Sequence, residues 1–417
     1  MHVCQTASKA LLVYGARPNY MKIAPIYRAM QDSQTWSPVL LNTGQHFDKM
    51  MSDVFLKSLG LPKPDINLRI GPGSQAQQIA RVLHEIEPVL KSVQPALTIV
   101  VGDVTSTLAA ALASATVNVP IAHVEAGLRS RDWAMPEERN RVLADRLSEY
   151  LFTPSPDADE NLVAEGIDPA RIFRVGNVMI DTLDWIRPHL PITDTRVKYG
   201  VAEGDFAIVT LHRPSNVDDP KILTKIVAGL RAVADRLPLL FPIHPRTRQR
   251  LDEFNLSPGS DRIHLLPPLG YAEFMALLST CSLVITDSGG IQEEATVLGV
   301  RCLTLRENTE RPITLQYGLN QLVKADPNAI VAAADDALKS GRTTSRRPPL
   351  WDGKAANRIV EALDGQYEAL GPRDECRDQT RGTKVIGSRP ASLDGRAVGA
   401  QTSIEIAIVP ARGRKQS

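Results

Sequence analysis

The chain has 417 residues, which is more than one hydrophobic core usually supports, so its length predicts two domains. It carries 48 Lys plus Arg against 47 Asp plus Glu, and this net charge of +1 argues against nucleic acid or an anionic membrane surface as a partner. The four cysteines, Cys4, Cys281, Cys302 and Cys376, form no Cys-x-x-Cys pair, which argues against structural zinc and a disulfide scaffold and favours a reducing, cytoplasmic location.

Short apolar runs alternate with longer helical periods up to about residue 180, a pattern typical of parallel βαβ units. None of these runs approaches the roughly 18 apolar residues that a membrane span requires. Pro136 suits the first position of a helix, in which Leu143, Leu147, Tyr150 and Leu151 are expected to form the buried stripe. The predicted strands are 10–14, 38–42, 97–101, 121–124 and 150–153.

The polar segment 187–204 separates this series from a second one and is predicted to be a linker. The second series has predicted strands at 206–211, 239–243, 263–266, 283–286 and 301–305. Two α/β halves imply a cleft, and ligands in such sheets bind beyond the carboxyl ends of the strands. From residue 371 the composition turns polar, which predicts a disordered tail in which only 404–409 could pair as a strand.

The glycine turn Ser288, Gly289, Gly290 follows the predicted strand 283–286 and precedes a helical pattern. Backbone N–H groups and a helix dipole meet phosphate in this arrangement, so the turn predicts a nucleotide diphosphate ligand. We place Glu293 and Glu294 in the first helical turn, where one of them could accept hydrogen bonds from ribose hydroxyls. The alternative is an ordinary βα turn whose acidic residues complement the dipole.

Ionisable residues follow the predicted strands of both halves. Asp103, Glu125 and Glu137 come from the first half, whereas the second half supplies histidines and arginines, which are His212, Arg213, His244 and Arg246. One side of the cleft could therefore move protons while the other neutralises phosphate charge.

Three residues of the first half also have a purely structural interpretation. Asp103 could cap the following helix, Glu125 could pair with Arg129, and His123 could be a hydrogen-bonded core histidine.

Motifs for other chemistries are weak or missing in the sequence. Residues 71–76 fit G-x-G-x-x-A but follow no apolar strand, so nicotinamide binding is not expected. The sequence contains no G-x-x-x-x-G-K-[ST] and no H-E-x-x-H. We therefore expect neither a catalytic metal nor a cofactor.

A set of ordered motifs between about residues 10 and 365 resembles the non-hydrolysing UDP-N-acetylglucosamine 2-epimerases. They are Gly15-Ala16-Arg17-Pro18, Thr43-Gly44-Gln45-His46, Val101-Gly102-Asp103, His123-Val124-Glu125-Ala126-Gly127-Leu128-Arg129, Met135-Pro136-Glu137-Glu138, Leu211-His212-Arg213, Phe241-Pro242-Ile243-His244-Pro245-Arg246-Thr247, Asp287-Ser288-Gly289-Gly290-Ile291-Gln292-Glu293-Glu294 and Arg306-Glu307-Asn308-Thr309-Glu310-Arg311-Pro312.

The resemblance implies a GT-B fold, in which two Rossmann-like domains with parallel sheets face a central cleft. Their expected bounds are 1–174 for the domain with the catalytic carboxylates and 175–354 for the UDP-binding domain. Residues 355–370 would form a helix that crosses back to the first domain, and 371–417 would be the tail. A homodimer, a small-molecule UDP-sugar as substrate and a place in polysaccharide biosynthesis are also implied.

The implied reaction is the reversible C2 epimerisation of UDP-GlcNAc to UDP-ManNAc without a redox cofactor. The proton on C2 is not acidic, so UDP must leave C1 first, after which C2 loses its proton and a 2-acetamidoglucal forms. UDP then adds back while a proton reaches the other face. Asp103 and Glu137 would be the acid/base pair, Glu125 would stabilise the cationic transition state, and His212 would assist the leaving phosphate.

The resemblance also implies a set of UDP-binding residues. Glu294 would hold the ribose and Phe274 would stack on uracil, although Phe274 could equally be a core aromatic of a helix at 271–278. The remaining UDP-binding residues, most of them expected at the diphosphate, would be Arg17, Lys22, Arg213, His244, Ser288, Gly289, Gly290 and Arg311.

Three alternatives stay open at this point. Two are enzymes, namely a hydrolysing epimerase that releases ManNAc and UDP, and an epimerase of a UDP-diacetamido-uronate. The third is a GT-B protein that binds a sugar nucleotide without turning it over, although burying several unpaired carboxylates would then be costly.

Overall fold

Parallel strands alternate with helices along the whole described chain. The structure is a computed structural model that describes residues 7–44, 56, 59–259, 261–341 and 347–370, without the side chains of Arg17 and 368–370. Gln45, His46, the predicted tail 371–417 and its predicted strand 404–409 lie outside the described residues. No helix among the residues described is both long and apolar enough to cross a membrane.

The first sheet is parallel, and its central strands are buried because helices cover both faces. The spatial order of its strands is β3-β2-β1-β4-β5-β6-β7. In chain order they are β1 (Ser8–Tyr14), β2 (Trp36–Asn42), β3 (Ile66–Asn67), β4 (Leu97–Val101), β5 (Ile121–Val124), β6 (Tyr150–Thr153) and β7 (Ile172–Arg174). The five strands predicted for this half are confirmed, with β1 and β2 starting two residues earlier than expected.

The helices of this half follow the strands in the manner of βαβ units. They are α1 (Arg17–Gln31), α2 (Gln75–Val93), α3 (Thr105–Thr116), α4 (Pro136–Leu147), α5 (Pro156–Ala164) and α6 (Val178–Ile186). Ser74 caps α2 by accepting a hydrogen bond from Gln77 N, so the G-x-G-x-x-A stretch serves as a helix start.

The predicted apolar stripe of α4 is wrong. Leu143 is 49% exposed, Leu147 is only partly buried, and Tyr150 and Leu151 belong to β6. The buried face of α4 instead carries charged and polar residues, which are Glu138, Asn140, Arg141 and Asp145 together with Ala144. Since buried polar groups need partners, this face is held by ion pairs and hydrogen bonds rather than by leucines.

The second sheet is also parallel, with the spatial order β10-β9-β8-β11-β12-β13. Its strands are β8 (Ala207–Thr210), β9 (Leu239–Pro242), β10 (Ile263–Leu266), β11 (Leu283–Thr286), β12 (Arg301–Thr304) and β13 (Asn320–Leu322), and the five that were predicted are confirmed. The helices of this half are α7 (Ile192–Lys198), α8 (Pro214–Val217), α9 (Pro220–Ala234), α10 (Pro245–Glu253), α11 (Tyr271–Leu278), α12 (Gly289–Leu298), α13 (Ile313–Tyr317), α14 (Pro327–Ser340) and α15 (Ala355–Leu370).

The segment 187–204 is more ordered than a plain linker, and that prediction is wrong. It holds a 3₁₀ turn at Arg187–His189 and the helix α7, which packs on α11. In this contact, Lys198 of α7 pairs with Glu273 of α11 at 2.5 Å.

Strand order reverses at one point in each sheet. In the first sheet β1 lies between β2 and β4, and in the second β8 lies between β9 and β11. The loops that leave two such neighbouring strands run to opposite faces of the sheet, which opens a crevice at their carboxyl ends. The segments that start there are Gly15–Arg17, Asp103, His212 and Ser288–Gly290, so the topology brings the predicted site residues to the two crevices.

The last helix, α15, packs against the amino-terminal half. Tyr367 lies 2.5 Å from the Ser8 hydroxyl at the start of β1, and its ring meets Trp36 of β2 edge-on at 5.1 Å. The carboxylate of Asp181 in α6 accepts hydrogen bonds from the first two backbone N–H groups of α15, Ala355 N at 3.1 Å and Ala356 N at 2.7 Å. These contacts join the end of the described chain to the first sheet.

Gly176 marks a close approach of this returning chain. Its φ is +93°, and an added Cβ would collide with the carbonyl oxygen of Leu350. We expect Gly176→Ala to lower the free energy of unfolding by about 3 kcal/mol or more, since backbone strain and the collision add. Gly166 has φ +78° but open space around it, so Gly166→Ala should cost only about 1 kcal/mol. Urea denaturation of both variants measures the difference, and equal losses would contradict the close approach.

Candidate functional site

A cavity of about 480 Å³ lies at the carboxyl ends of both sheets, within the size range of small-molecule sites. It collects most residues predicted for the site, namely Lys22, Asp103, Glu137, His212, Arg213, His244, Phe274, Ser288, Gly289, Gly290, Glu294 and Arg311. Glu125 does not line the cavity but contacts two residues that do, and the side chain of Arg17 is outside the described part. Residues from both halves therefore share one cavity.

Asp103 is held by an ion pair rather than by capping a helix. The residue that caps α3 is Val104, so the helix-cap interpretation of Asp103 is wrong. Its Oδ2 accepts from Arg141 Nη2 at 2.5 Å, and its backbone oxygen accepts from Asn140 Nδ2 at 2.8 Å. Burial alone would raise the pKa of Asp103, but Arg141, Lys22 and Arg311 outweigh it and hold that pKa below its usual value. Asp103 is therefore ionised at neutral pH.

Glu137 offers a second carboxylate to the same cavity. It is the second residue of α4 and its side chain is exposed. The dipole of α4 favours negative charge at this position. Asp103 and Glu137 thus reach one cavity from different elements, one tightly paired and one open to solvent.

Glu125 adopts a strained backbone conformation directly after β5. Its φ is +71°, which is uncommon for a residue with a side chain and is often retained at functional sites. The carboxylate pairs with Lys22 at 2.5 Å and with Arg311 at 2.8 Å. The proposed pair with Arg129 is wrong, because Arg129 instead contacts Asp145 on α4 at 2.7 Å and Glu165 at 2.7 Å.

His123 is the hydrogen-bonded core histidine of the structural interpretation. Its Nδ1 lies 2.6 Å from Asp145 Oδ1 and its Nε2 lies 2.8 Å from Gly102 O. Both ring nitrogens therefore face oxygen acceptors, and the ring is fully buried below the loop that carries Asp103.

Arg311 is the centre of a buried charge cluster between the two sheets. Besides Glu125, its guanidinium pairs with Glu293 at 2.7 Å and Glu310 at 2.7 Å. Burial raises the pKa of Glu293 to about 7 although Arg311 opposes it. Burial also acts on Glu310, but the charges of Arg311, Arg306 and Arg213 dominate and push its pKa far below the usual range. The cluster links residues of both halves through one arginine.

His212 is oriented by a buried carboxylate. Asp287, at the end of β11, lies 2.9 Å from His212 Nδ1 and accepts from the backbone N–H groups of His212 and Arg213 at 3.0 and 2.9 Å. Burial alone would raise the pKa of Asp287, but these contacts outweigh burial and hold that pKa below its usual value. An ionised Asp287 fixes the proton on Nδ1 and leaves Nε2 to act on a ligand in the cavity.

Glu294 is a buried carboxyl on the wall of the cavity. Its Oε1 accepts from the hydroxyl of Tyr271 at 2.8 Å. Burial raises the pKa of Glu294 to about 8, the Tyr271 hydrogen bond opposes this, and the charge of Glu293 adds to it. Phe274 lies on the same helix as Tyr271, is only partly buried and lines the cavity while packing on the core, so its two predicted roles are compatible.

The glycine turn forms the predicted strand–turn–helix. Helix α12 begins at Gly289, and the side chain of Ser288 makes no capping hydrogen bond. A Cβ on Gly289 would meet Arg311 Nη1 at 2.5 Å and Glu310 Oε1 at 2.8 Å, so glycine is needed for close approach. The placement of Glu293 and Glu294 in the first turn is wrong, because they are the fifth and sixth residues of α12 and both are buried.

Several residues of the site were not predicted from the sequence. Arg141 and Asp287 position predicted site residues, Tyr271 contacts Glu294, and Glu310 contacts Arg311. The signal for Asp287 was its place directly after a buried strand. His244 accepts from Arg246 N at 3.2 Å and caps α10, while its ring lies 5.7 Å from that of His212.

Comparison with known proteins gives a consistent result. Residues 28–364 match the family described as UDP-N-acetylglucosamine 2-epimerase. The chain is 40% identical to a UDP-N-acetylglucosamine 2-epimerase of Methanocaldococcus jannaschii, with 86% of this chain and 100% of that protein covered. It is 41% identical to a UDP-2,3-diacetamido-2,3-dideoxy-D-glucuronate 2-epimerase of Pseudomonas aeruginosa, with 85% and 99% covered.

Solved structures show the same similarity. The Methanocaldococcus jannaschii UDP-GlcNAc 2-epimerase in complex with UDP-GlcNAc and UDP matches with a TM-score of 0.80 and 39% identity over 86% of this chain and 99% of that one. The Neisseria meningitidis enzyme bound to UDP-GlcNAc matches with a TM-score of 0.78 and 29% identity over 86% and 100%. With two parallel sheets, these matches confirm the predicted GT-B fold. The chain belongs to the UDP-N-acetylglucosamine 2-epimerase family.

Proposed function

We propose that this protein interconverts UDP-GlcNAc and UDP-ManNAc by elimination and re-addition of UDP. The observation that carries the proposal is that Asp103 and Glu137 reach one cavity that is also lined by an Asp-oriented histidine and the amino-terminal end of α12. Inversion at C2 needs a proton acceptor on one face and a donor on the other, and two carboxylates from separate elements supply them. The relatives named as UDP-N-acetylglucosamine 2-epimerases support the same reaction.

In the first step the C1–O bond to UDP breaks and the bonding electrons leave with the phosphate. As the imidazolium, whose Nδ1–H is held by Asp287, His212 would donate its Nε2 proton or a hydrogen bond to this oxygen. The buried Glu125 carboxylate pairs with Lys22 and Arg311, and its negative charge offsets the positive charge that these two residues bring to the cavity wall, so that the cationic transition state at C1 and C2 is less disfavoured. Asp103, which is ionised, takes the C2 proton, and the C1=C2 double bond of the glycal forms.

In the second step Glu137 delivers a proton to the other face of C2, and the phosphate oxygen of UDP bonds to C1 again. Retention of free UDP is therefore essential. The Ser288 hydroxyl and the N–H groups of Gly289 and Gly290 would hold the diphosphate together with Arg17, Arg213 and His244, while Glu294 would bind the ribose and Phe274 the uracil. The 41% identity to the diacetamido-uronate 2-epimerase supports the same chemistry at C2.

A homodimer, a cytoplasmic location and a role in polysaccharide biosynthesis are further parts of the proposal. The first and the last rest on the family resemblance. The location is supported by Cys281 and Cys302, which are buried thiols and not disulfides.

Proton NMR in deuterated water tests the reaction. Incubation with UDP-GlcNAc should yield UDP-ManNAc carrying deuterium at C2, and the remaining UDP-GlcNAc should also lose its C2 proton signal, because the glycal is protonated from solvent-exchanged groups. Accumulation of free ManNAc and UDP would instead show a hydrolysing epimerase. Turnover of a UDP-2,3-diacetamido-uronate but not of UDP-GlcNAc would overturn the proposed sugar while keeping the chemistry.

A further inference from the structure

The polar buried face of α4 holds the two proposed acid/base groups in one rigid unit. Glu137 is the second residue of this helix, and Arg141 follows one turn later with only 2% of its surface exposed. A buried arginine is costly unless its donors are paired, so its partners indicate why it is there.

Both partners of Arg141 are carboxylates of the site region. Its Nη2 donates to Asp103 Oδ2 at 2.5 Å, and its Nη1 donates to Glu138 Oε2. The neighbouring Asn140 donates its Nδ2 hydrogen to the backbone oxygen of Asp103 at 2.8 Å. Helix α4 therefore fixes Asp103 by its side chain and by its main chain.

Glu138 prevents the guanidinium of Arg141 from turning away. The Glu138 carboxylate accepts from Ser130 N at 2.9 Å, Ser130 Oγ at 3.0 Å and Arg131 N at 2.8 Å. A carboxylate with three such donors is itself immobile, and the planar guanidinium presents its donors in a fixed fork. The orientation of Asp103 is thus set by two successive charge-assisted contacts.

We propose that Arg141 is a positioning residue of the reaction, which keeps the Asp103 carboxylate ionised and at a fixed place relative to Glu137. The inference rests on the proposed epimerase function, in which Asp103 takes the C2 proton. Proton transfer requires the reacting groups within hydrogen-bond reach, so a carboxylate that is free to rotate would transfer the proton more slowly.

The charge around Asp103 supports this role. Burial favours the neutral acid, and Arg141 makes the largest opposing contribution to the lowered pKa of Asp103, ahead of Lys22 and Arg311. Without Arg141 the burial remains while the nearest cation is lost, so the pKa of Asp103 rises. The other charged groups of this region are Glu138 on α4, Glu137 on the cavity wall, Glu125 beyond Lys22 and Glu310 beyond Arg311, with the basic His212 and Arg213 on the cavity wall.

The test compares Arg141→Met and Arg141→Lys with the wild type. The pH dependence of kcat/KM is measured from UDP-GlcNAc and from UDP-ManNAc, together with UDP affinity by calorimetry. In the direction in which Asp103 accepts the proton, the acidic limb of the kcat/KM profile of Arg141→Met should move to higher pH by at least one pH unit. The kcat of this variant at pH 7 should fall at least tenfold. The Kd for UDP should change by less than threefold, and Arg141→Lys should recover part of the loss.

Arg129→Met is the matched control. Arg129 is a buried arginine that also pairs with a carboxylate of α4, Asp145, but it does not contact Asp103. This variant should lose stability while its acidic limb stays at the wild-type pH.

If the acidic limb of kcat/KM lies at the wild-type pH in both Arg141 variants, the inference is overturned and the proposed function stays intact. If Arg141→Met does not fold, the neutral Arg141→Gln replaces it, and an acidic limb at the wild-type pH in that variant overturns the inference. A wild-type enzyme without any turnover would overturn the proposed function and the inference together.

Discussion

Glu137→Gln is expected to lower kcat for epimerisation of UDP-GlcNAc by about 10²- to 10⁴-fold, the usual contribution of a positioned acid or base. Glutamine keeps the shape of the side chain but cannot exchange a proton. Because Glu137 is exposed and lines the cavity, its replacement should change the free energy of unfolding by less than about 1 kcal/mol, mainly through the dipole of α4. NMR progress curves and urea denaturation measure the two effects separately.

The adjacent Glu138 provides a control for the stability measurement, because its replacement should destabilise the fold whereas that of Glu137 should not. Its side chain is buried, pairs with Arg141 and accepts from Ser130 N and Arg131 N. Glu138→Gln leaves the buried guanidinium of Arg141 without one of its two carboxylate partners, and we expect the free energy of unfolding to fall by about 2–4 kcal/mol. Undiminished turnover in Glu137→Gln would remove this carboxylate from the mechanism and would favour a protein that binds sugar nucleotides without converting them.

The parallel sheets were predictable because their strands are short and largely apolar, and the central ones are buried on both faces. Strands β4, β5, β6, β10 and β11 have the predicted bounds, and the residue that follows each of them is a glycine, a proline or an acidic residue. The positions directly after strands then gave five residues that line the cavity, namely Asp103, His212, Arg213, His244 and Ser288. Local pattern and the topology of α/β sheets are sufficient for this step.

The prediction failed where long-range charge pairs replace apolar packing. Leu143 was expected on the buried face of α4, but Arg141 lies there instead. Arg141 is buried because it pairs with Asp103, which lies 38 residues away in sequence. Glu125 was compared with the nearby Arg129, whereas its partner Arg311 is 186 residues distant. Hydrophobic periodicity and local spacing carry no information about such contacts.

Glu294→Gln is expected to stabilise the protein and to weaken its binding of UDP. Burial raises the pKa of Glu294 to about 8, whereas an unfolded chain gives a glutamate near 4.5. At pH 7 the folded state must therefore keep this group protonated, at a cost of about 3 kcal/mol that glutamine avoids. Loss of a carboxyl group that can accept from the ribose hydroxyls should raise the Kd for UDP by about ten- to a hundredfold.

The pH dependence of the free energy of unfolding distinguishes this prediction from a packing effect. A carboxyl whose pKa is raised on folding contributes stability that is complete below about pH 4.5 and is lost as the pH rises to about 8. The wild type and Glu294→Gln should thus be equally stable at pH 4, and the stability of the variant relative to the wild type should increase steadily up to pH 8 in urea denaturation.

The exposed Glu307 supplies the control, since Glu307→Gln should leave stability and UDP affinity unchanged at every pH. A stability gap of the same size at pH 4 and pH 8 would mean that the gain comes from packing, and that Glu294 does not hold its proton in the folded enzyme. A gap that opens with pH, together with weaker UDP binding, means that the free protein accepts a less stable fold to keep a carboxyl at the ribose.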